Sequence, residues 1–328
     1  MPGVPSLSHD LGIDPKTVAL ALEQLEQQGL LESQGAGRRR KILLDKSTAK
    51  KGTSIRIALL SDTSFAQSNK YMIELQHRLQ EAGHHTFFAP KCLEQLITIK
   101  SLARIVKENP ADAWVVCAAN RKVLEWFLEQ NIPTMALFGR RRELQIAGVG
   151  PDKVQAFRDV VRKLVSLGHR RIVLLVTKMR RLPYPGMPER AFLDELRAHG
   201  IQSSNYNLPD WEESIEGIRD LLDSIFRLTP PTAMLVDEAH IFHAVKHHLS
   251  ERAIKVPSDV SLVCTDPDKT FIWCTPTIAH IAWDTSLVVR HVVKWASNIS
   301  RGKQDIRQAS TPAVLVVGGT MGPVKKGG

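Results

Sequence analysis

From Ser54 onward, short apolar runs alternate with amphipathic stretches, and this alternation restricts the fold more than any other property of the chain. A short apolar run bounded by turn residues suits a strand buried on both faces, and such strands separated by helices build parallel α/β layers. Residues 55–60, 86–89, 113–118, 134–138, 171–176, 233–236 and 261–264 are the expected strands. Residues 72–82, 93–107, 154–167, 190–199, 215–226 and 241–250 are the expected helices. The pattern restarts near Val149, which favours two similar lobes over one long sheet. The expected fold class is therefore α/β, a two-lobed domain of parallel sheets flanked by helices. Ligands of open α/β sheets settle outside the carboxyl ends of the strands, which for two facing lobes is the cleft between them.

A smaller module precedes this region. Ser6 can cap a helix over 7–11, and Gly12 ends it because glycine accepts the left-handed conformation common at helix C-termini. Asp14-Pro15 reads as a second N-cap with proline in the first helical position. The second helix carries Val18, Ala21, Leu22 and Leu25 on an inward face, so Lys16, Thr17 and Leu20 project elsewhere. Residues 30–33 and 38–44 then read as two short strands around a 35–37 turn. The order is that of a helix-turn-helix with a wing. Between residues 36 and 53, seven basic side chains, Arg38, Arg39, Arg40 and Lys41 among them, stand against one acid, Asp45. In such a module the second helix faces base edges and the wing cations hold phosphates, so Ser6, Lys16, Thr17, Arg38, Arg39 and Arg40 are the candidate DNA contacts. An amphipathic helix pair followed by a solvated basic linker is the alternative.

Composition narrows the function classes. A net charge of +10, from 44 Lys and Arg against 34 Asp and Glu, favours an anionic partner. No stretch approaches the about 20 apolar residues of a membrane span, and the first residues lack a charged and then apolar leader, so a cytoplasmic protein without membrane contact is expected. Cys92, Cys117, Cys264 and Cys274 show no metal-ligand spacing and read as reduced structural thiols. His240, His243 and His247 share a helical face with His248 adjacent, which reads as a surface or subunit-contact face rather than a metal site. Phosphate-loop, nucleophile-elbow and zinc-protease motifs are missing, so neither an enzyme nor a cofactor is expected.

Longer segments carry a resemblance. The run "VPSLSHDLGIDPKTVALALEQLEQQGLLESQGAGRRRKI" resembles the GntR-type winged helix over some forty residues. It departs from that pattern at Pro15 and Ala19, where arginines are frequent, and the family's first helix would lie ahead of Met1, so an N-terminally truncated module is the expectation. The segments "VRKLVSLGHRRIVLL", "PPTAMLVDEAHIFHAVKHHLSERAIKVPSDVSLVCTD" and "TPTIAHIAWD" resemble, in order and spacing, the effector domain of LacI/GalR repressors. That resemblance implies a periplasmic-binding-protein-like domain that dimerises and changes lobe angle with a small, sugar-like effector. The combination is similar to the arabinose-repressor arrangement, and the linker shows no hinge-helix signature of the LacI type. The implied organisation is a DNA-binding unit at 1–44, a linker at 45–53 and an effector and dimerisation domain at 54–328. Lobe 1 would be 54–150 with 284–310, and lobe 2 would be 151–283 with 311–322.

By the same resemblance Asp266 is the effector-contacting carboxylate and Trp211 an aromatic stacked on the ligand. Trp283 stands where glutamine is common and Glu238 where asparagine is. Arg190 lies two residues past the family's ligand arginine. Asp62, Phe65 and Arg140 lie on loops after strands that line the family's cleft. The implied function is a regulator, a repressor, whose homodimer grips a double-stranded operator and answers to a sugar or sugar derivative. A sugar-binding protein without DNA function and a sugar-metabolising enzyme are the rival readings.

Overall fold

The computed structural model describes residues 3–27, 31–32, 41–42, 53–96 and 98–325, and the chain divides into two units, Met1–Thr53 and Ser54–Gly328. In the first, α1 (Val4–Leu11) and α2 (Pro15–Gln27) precede an antiparallel ribbon of β1 (Leu31–Glu32) and β2 (Lys41–Ile42), in which Leu31 is opposite Ile42. Helix α1 starts earlier than the sequence suggests. Gly3 is its N-cap, Pro5 presets the first turn, and Ser6 therefore lies inside the helix rather than capping it. Gly12 ends α1 at φ 64°, and Asp14 caps α2 by accepting from the backbone N–H of Lys16 at 2.9 Å and of Thr17 at 3.3 Å. Val18, Leu22 and Leu31 form a small core with Val4 and Leu7 against it. Ala21, expected inside, is exposed; Lys16, Thr17 and Leu20 are exposed as well. The Leu25 side chain and the wing residues Arg38, Arg39 and Arg40 lie outside the described residues.

The second unit opens with β3 (Arg56–Leu60), α3 (Lys70–Glu81), β4 (His85–Phe88), α4 (Ile99–Glu108), β5 (Ala113–Cys117), α5 (Arg121–Glu129), β6 (Thr134–Leu137) and β7 (Ala147–Asp152). It continues with α6 (Val154–Ser166), β8 (Ile172–Leu175), α7 (Lys178–Arg181), α8 (Met187–Ala198), α9 (Ile215–Leu228), β9 (Ala233–Val236), α10 (Ala239–Glu251) and β10 (Ser261–Cys264). Last come β11 (Ala279–Trp283), α11 (Thr285–Ile299) and β12 (Gln308–Val316). The strand order is β4-β3-β5-β6-β7-β12-β11-β10-β9-β8, with all neighbours parallel except β11 and β12.

Each half is a sheet with helices on both faces, which is why strands such as β5, β8 and β9 are apolar throughout rather than alternating. In lobe 1, Ile57 and Leu59 of β3 face α3 and α11, whereas Ala58 and Leu60 face α4 and α5. In lobe 2, Ile172 and Leu174 of β8 face α6 and α8, whereas Val173 and Leu175 face α9 and α10. Side chains such as Phe157, Phe192 and Phe242 are wholly buried, and each contributes about 1.5–3 kcal/mol relative to exposure.

Three connections join the lobes. The chain leaves lobe 1 through β7 into α6, returns from β11 into α11, and crosses again along β12. Residues 308–312 of β12 pair with β7 in lobe 1, and 313–316 pair with β11 in lobe 2. Pro312, which has no N–H to donate, sits where the strand changes partner. The expected helix over 93–107 is instead a short 3-10 turn, Leu93–Gln95, followed by α4. Thr98 caps α4 through a reciprocal pair with Ser101, so the helix begins only beyond it.

Candidate functional site

The ends of β3, β5, β6, β9 and β10 deliver a concentrated set of polar and aromatic side chains to the space between the lobes. Three residues just past these ends, Ala118, Phe138 and Glu238, hold φ of 47°, 62° and 54°. Non-glycine residues reach this region only at a cost of about 1–3 kcal/mol, and such strain gathers where side chains must be aimed. Gly139, at φ 68°, follows Phe138. A Cβ there would stand 2.6 Å from the Ala119 carbonyl oxygen, so this close approach of the two loops requires glycine.

Asp266 lies at the centre. Its Oδ1 accepts from Lys153 Nζ at 2.5 Å and from Trp283 Nε1 at 3.1 Å, and its Oδ2 accepts from the Thr265 hydroxyl at 3.2 Å. Lys153 immediately follows β7 and Trp283 ends β11, so two of the three lobe connections converge on this carboxylate. Next to it Arg180 pairs with Glu189 at 2.6 Å and with Asp237, and reaches the Thr265 hydroxyl at 3.4 Å. The single Thr265 hydroxyl proton is shared between Asp237 Oδ1, at 2.7 Å, and the more distant Asp266 Oδ2. Trp283 links this polar chain to an aromatic group. Its ring lies 5.5 Å from Phe138 and 6.2 Å from Tyr71, which is 5.6 Å from Phe138, all edge to face.

Electrostatics separate these acids. Burial pushes the Asp266 carboxyl up, but the Lys153 ammonium, the Arg180 guanidinium and the Trp283 N–H outweigh it and hold the group below the usual carboxylate value. Glu238 has less help, from the Arg180 guanidinium alone. Burial first, then the charges of Asp237, Asp62 and Asp266, push its carboxyl up to about 8. Asp62 is raised too, mainly by burial, with Glu94 and Asp237 adding to it. Burial likewise raises the Cys117 thiol and the Tyr71 phenol, which touch at 3.6 Å. Neither is ionised near neutrality, so neither is poised as a nucleophile. The arrangement suits holding a ligand by accepting hydrogen bonds and presenting ring faces. Among the described residues, no group of three or more His, Cys, Asp or Glu could hold a metal ion.

The sequence candidates fare unequally. Asp62, Glu238, Asp266 and Trp283 come together. Arg140 is in the cleft but is engaged otherwise: from lobe 1 its guanidinium donates to the carbonyls of Met179, Arg180, Leu182 and Tyr184 in lobe 2, at 2.6–3.3 Å, and stacks on Tyr184. It bridges the lobes through Nε and Nη2. Arg190 is exposed on α8, and the guanidinium among the acids is Arg180. Trp211 donates its indole N–H to the Val176 carbonyl at 2.9 Å and carries Arg181 over its ring, so it braces the end of β8. The Phe65 side chain lies outside the described residues. Lys153, Arg180, Tyr71 and Phe138 were not foreseen as site residues; recognising 147–152 as a strand would have placed Lys153 at a strand end, but that strand was not among those expected. His248, expected on a surface face, is buried beside Asp223 and Arg252, while His243 meets Thr270 and Phe271. Two surface concavities, one lined by Lys294, Asn298, Lys303 and Arg307 and one by Leu96, Thr98, Asn120 and Val123, contain none of the cleft cluster.

Residues 161–321 match the family model of a periplasmic binding protein-like domain. No curated protein matches the chain in sequence. Solved structures do match. The Escherichia coli transcriptional repressor ascG is 15% identical with a TM-score of 0.64, covering 82% of this chain and 100% of its own. A LacI family transcriptional regulator from Enterococcus faecium with bound ribose is 17% identical with a TM-score of 0.65, covering 82% and 100%. A lac repressor dimer bound to operator and the anti-inducer ONPF is 17% identical with a TM-score of 0.66, covering 82% and 95%. None of the described helices is long and apolar enough to cross a membrane. The fold is that of a two-lobed, periplasmic-binding-protein-like α/β domain preceded by a small helical unit.

Proposed function

We propose that the chain is a DNA-binding transcriptional regulator, acting as a repressor, whose operator binding is set by a sugar-like effector held between the lobes. The observation that carries this reading is the pairing of a two-lobed cleft fold with a separate unit built as two turn-linked helices and an antiparallel ribbon. In support, the matched structures include a repressor, a regulator with bound ribose and a repressor dimer on its operator. The reading assigns the N-terminal unit to a GntR-type winged helix-turn-helix, with exposed Ser6, Lys16 and Thr17 and the wing arginines Arg38, Arg39 and Arg40 on DNA. Effector contacts fall to Asp62, Arg180, Glu238, Asp266, Trp283 and the Tyr71–Phe138 pair. The protein works in the cytoplasm as a homodimer and without catalysis. Exposed Ile272 and Trp273 on lobe 2 are consistent with a subunit contact.

The mechanism requires differential binding. An effector shifts operator affinity only if it favours one lobe arrangement over the other. Selection of duplexes from a random pool on full-length protein tests the DNA half of the reading. Enrichment of a two-fold symmetric sequence, bound at least about a hundredfold tighter than a scrambled duplex, is expected. Sequence-indifferent binding that simply falls with salt would refute it.

A further inference from the structure

The carboxylates of the cleft outnumber the cations that face them. Arg180 is shared by Glu189 and Asp237, and Lys153 is held by Asp266. Asp62 and Glu238 remain, from opposite lobes. Glu238 meets His240 Nδ1 at 3.3 Å, and burial lowers the pKa of that imidazole and so favours its neutral form. Two buried oxygens, Asp62 Oδ1 and Asp237 Oδ2, have no hydrogen-bond partner, although Asp237 is only 1% exposed. Buried acceptors of this kind call for donors. Beside them the rings of Tyr71, Phe138 and Trp283 stand within 5.5–6.2 Å of one another, and Trp283 is tied to Asp266.

Unmatched carboxylates next to aromatic rings stabilise an organic cation, through charge, through N–H donors and through the ring faces. A metal ion is the wrong cation, since among the described residues no three acids, histidines or cysteines are placed to ligate one together. Glu238 holds its proton near neutrality until a cation arrives, but Glu189 and Asp237 still share one guanidinium, so a neutral polyol would supply donors and leave the surplus charge uncompensated. We propose that the occupant of the cleft carries a protonated amine, as in an amino sugar, with its ammonium among Asp62, Asp237 and Glu238 and its carbon skeleton against Tyr71, Phe138 and Trp283. This rests on the reading of the cleft as an effector site and specifies its chemical class.

The test is calorimetry and thermal melting of full-length protein with matched pairs: glucosamine and glucose, galactosamine and galactose, 1,4-diaminobutane and 1,4-butanediol. At least one amine should bind about tenfold or more tightly than its neutral counterpart, and Asp62→Asn and Glu238→Gln should each remove most of that preference. Because Glu238 holds its proton near neutrality, amine binding at pH 7 should also release about one proton, seen as a dependence of the heat on buffer ionisation enthalpy. A neutral member bound as tightly as its amine overturns the amine assignment while leaving the effector reading in place. Amine binding unchanged in both variants overturns the placement. No melting change with any compound overturns both the assignment and the effector reading.

Discussion

Replacing Arg140 with alanine should release lobe 2 from lobe 1. The guanidinium follows β6 in lobe 1 and reaches the 179–184 carbonyls of lobe 2 through Nε and Nη2. Nε carries one proton and Nη2 two, so at most three of these contacts operate together. A hydrogen bond from a charged donor contributes about 1.5–3 kcal/mol, and the stack on exposed Tyr184 about 0.5 kcal/mol. On opening, the freed carbonyls regain water, which offsets part of this and leaves about 2–3 kcal/mol for the latch. That corresponds to a change of roughly 30- to 150-fold in the ratio of closed to open lobes. Small-angle scattering and energy transfer between dyes on the two lobes read the ratio directly. The alanine variant should show a larger radius of gyration and a longer inter-dye distance, with Arg140→Lys intermediate because one ammonium cannot span the same carbonyls. Identical scattering and transfer in wild type and Arg140→Ala would refute the latch.

Glu238 and Lys153 give two further predictions. A carboxyl raised to about 8 keeps its proton in the folded state, so its contribution to stability is complete below the ordinary carboxylate value and is lost as pH rises through about 8. In a dry site that loss would approach 5 kcal/mol, but the Glu238 side chain is 38% exposed and solvent screening reduces it to about 1–2 kcal/mol. Urea denaturation should therefore find Glu238→Gln more stable than wild type at pH 8.5 by about that amount and equal to it at pH 5; a constant difference would remove the basis for a raised value. Lys153→Met leaves Asp266 without its ammonium in a site where the two side chains are 11% and 22% exposed, and should cost about 2–3 kcal/mol at pH 7. Asp266→Asn in the same background should recover most of the loss, and failure to recover would mean that the lysine acts through packing alone.

Much of the scaffold was legible because strands buried on both faces must be apolar throughout, and the runs around Leu59, Val115, Leu174, Leu235 and Val263 are. The lobe connections were not. Strand β12 is half exposed and changes partner at Pro312, so it shows neither a continuous apolar run nor clean alternation, and β7 begins with Ala147 and Gly148. Missing β7 and β11 as strands hid what they deliver. Lys153 lies 113 residues from Asp266, and only the strand order places its ammonium on that carboxylate. Arg180 belongs to a four-residue helix too short to carry a period, beside two other basic residues, Lys178 and Arg181, so nothing in the local pattern separated it from Arg181, which packs against Trp211 instead. Asp266 was legible because it stands two residues past an apolar strand, the place where an open α/β sheet presents its ligand contacts.

Arg140→Ala tests, without a known effector, the proposed control of DNA binding in the N-terminal unit by the lobes of residues 54–325. The duplex selected on wild-type protein is titrated, by fluorescence anisotropy at fixed salt, with wild type and with the variant. If lobe closure is coupled to the DNA-binding unit, the two dissociation constants should differ by at least about fivefold, although Arg140 belongs to the other unit. Equal constants, in a variant shown by scattering to be open, would contradict the account.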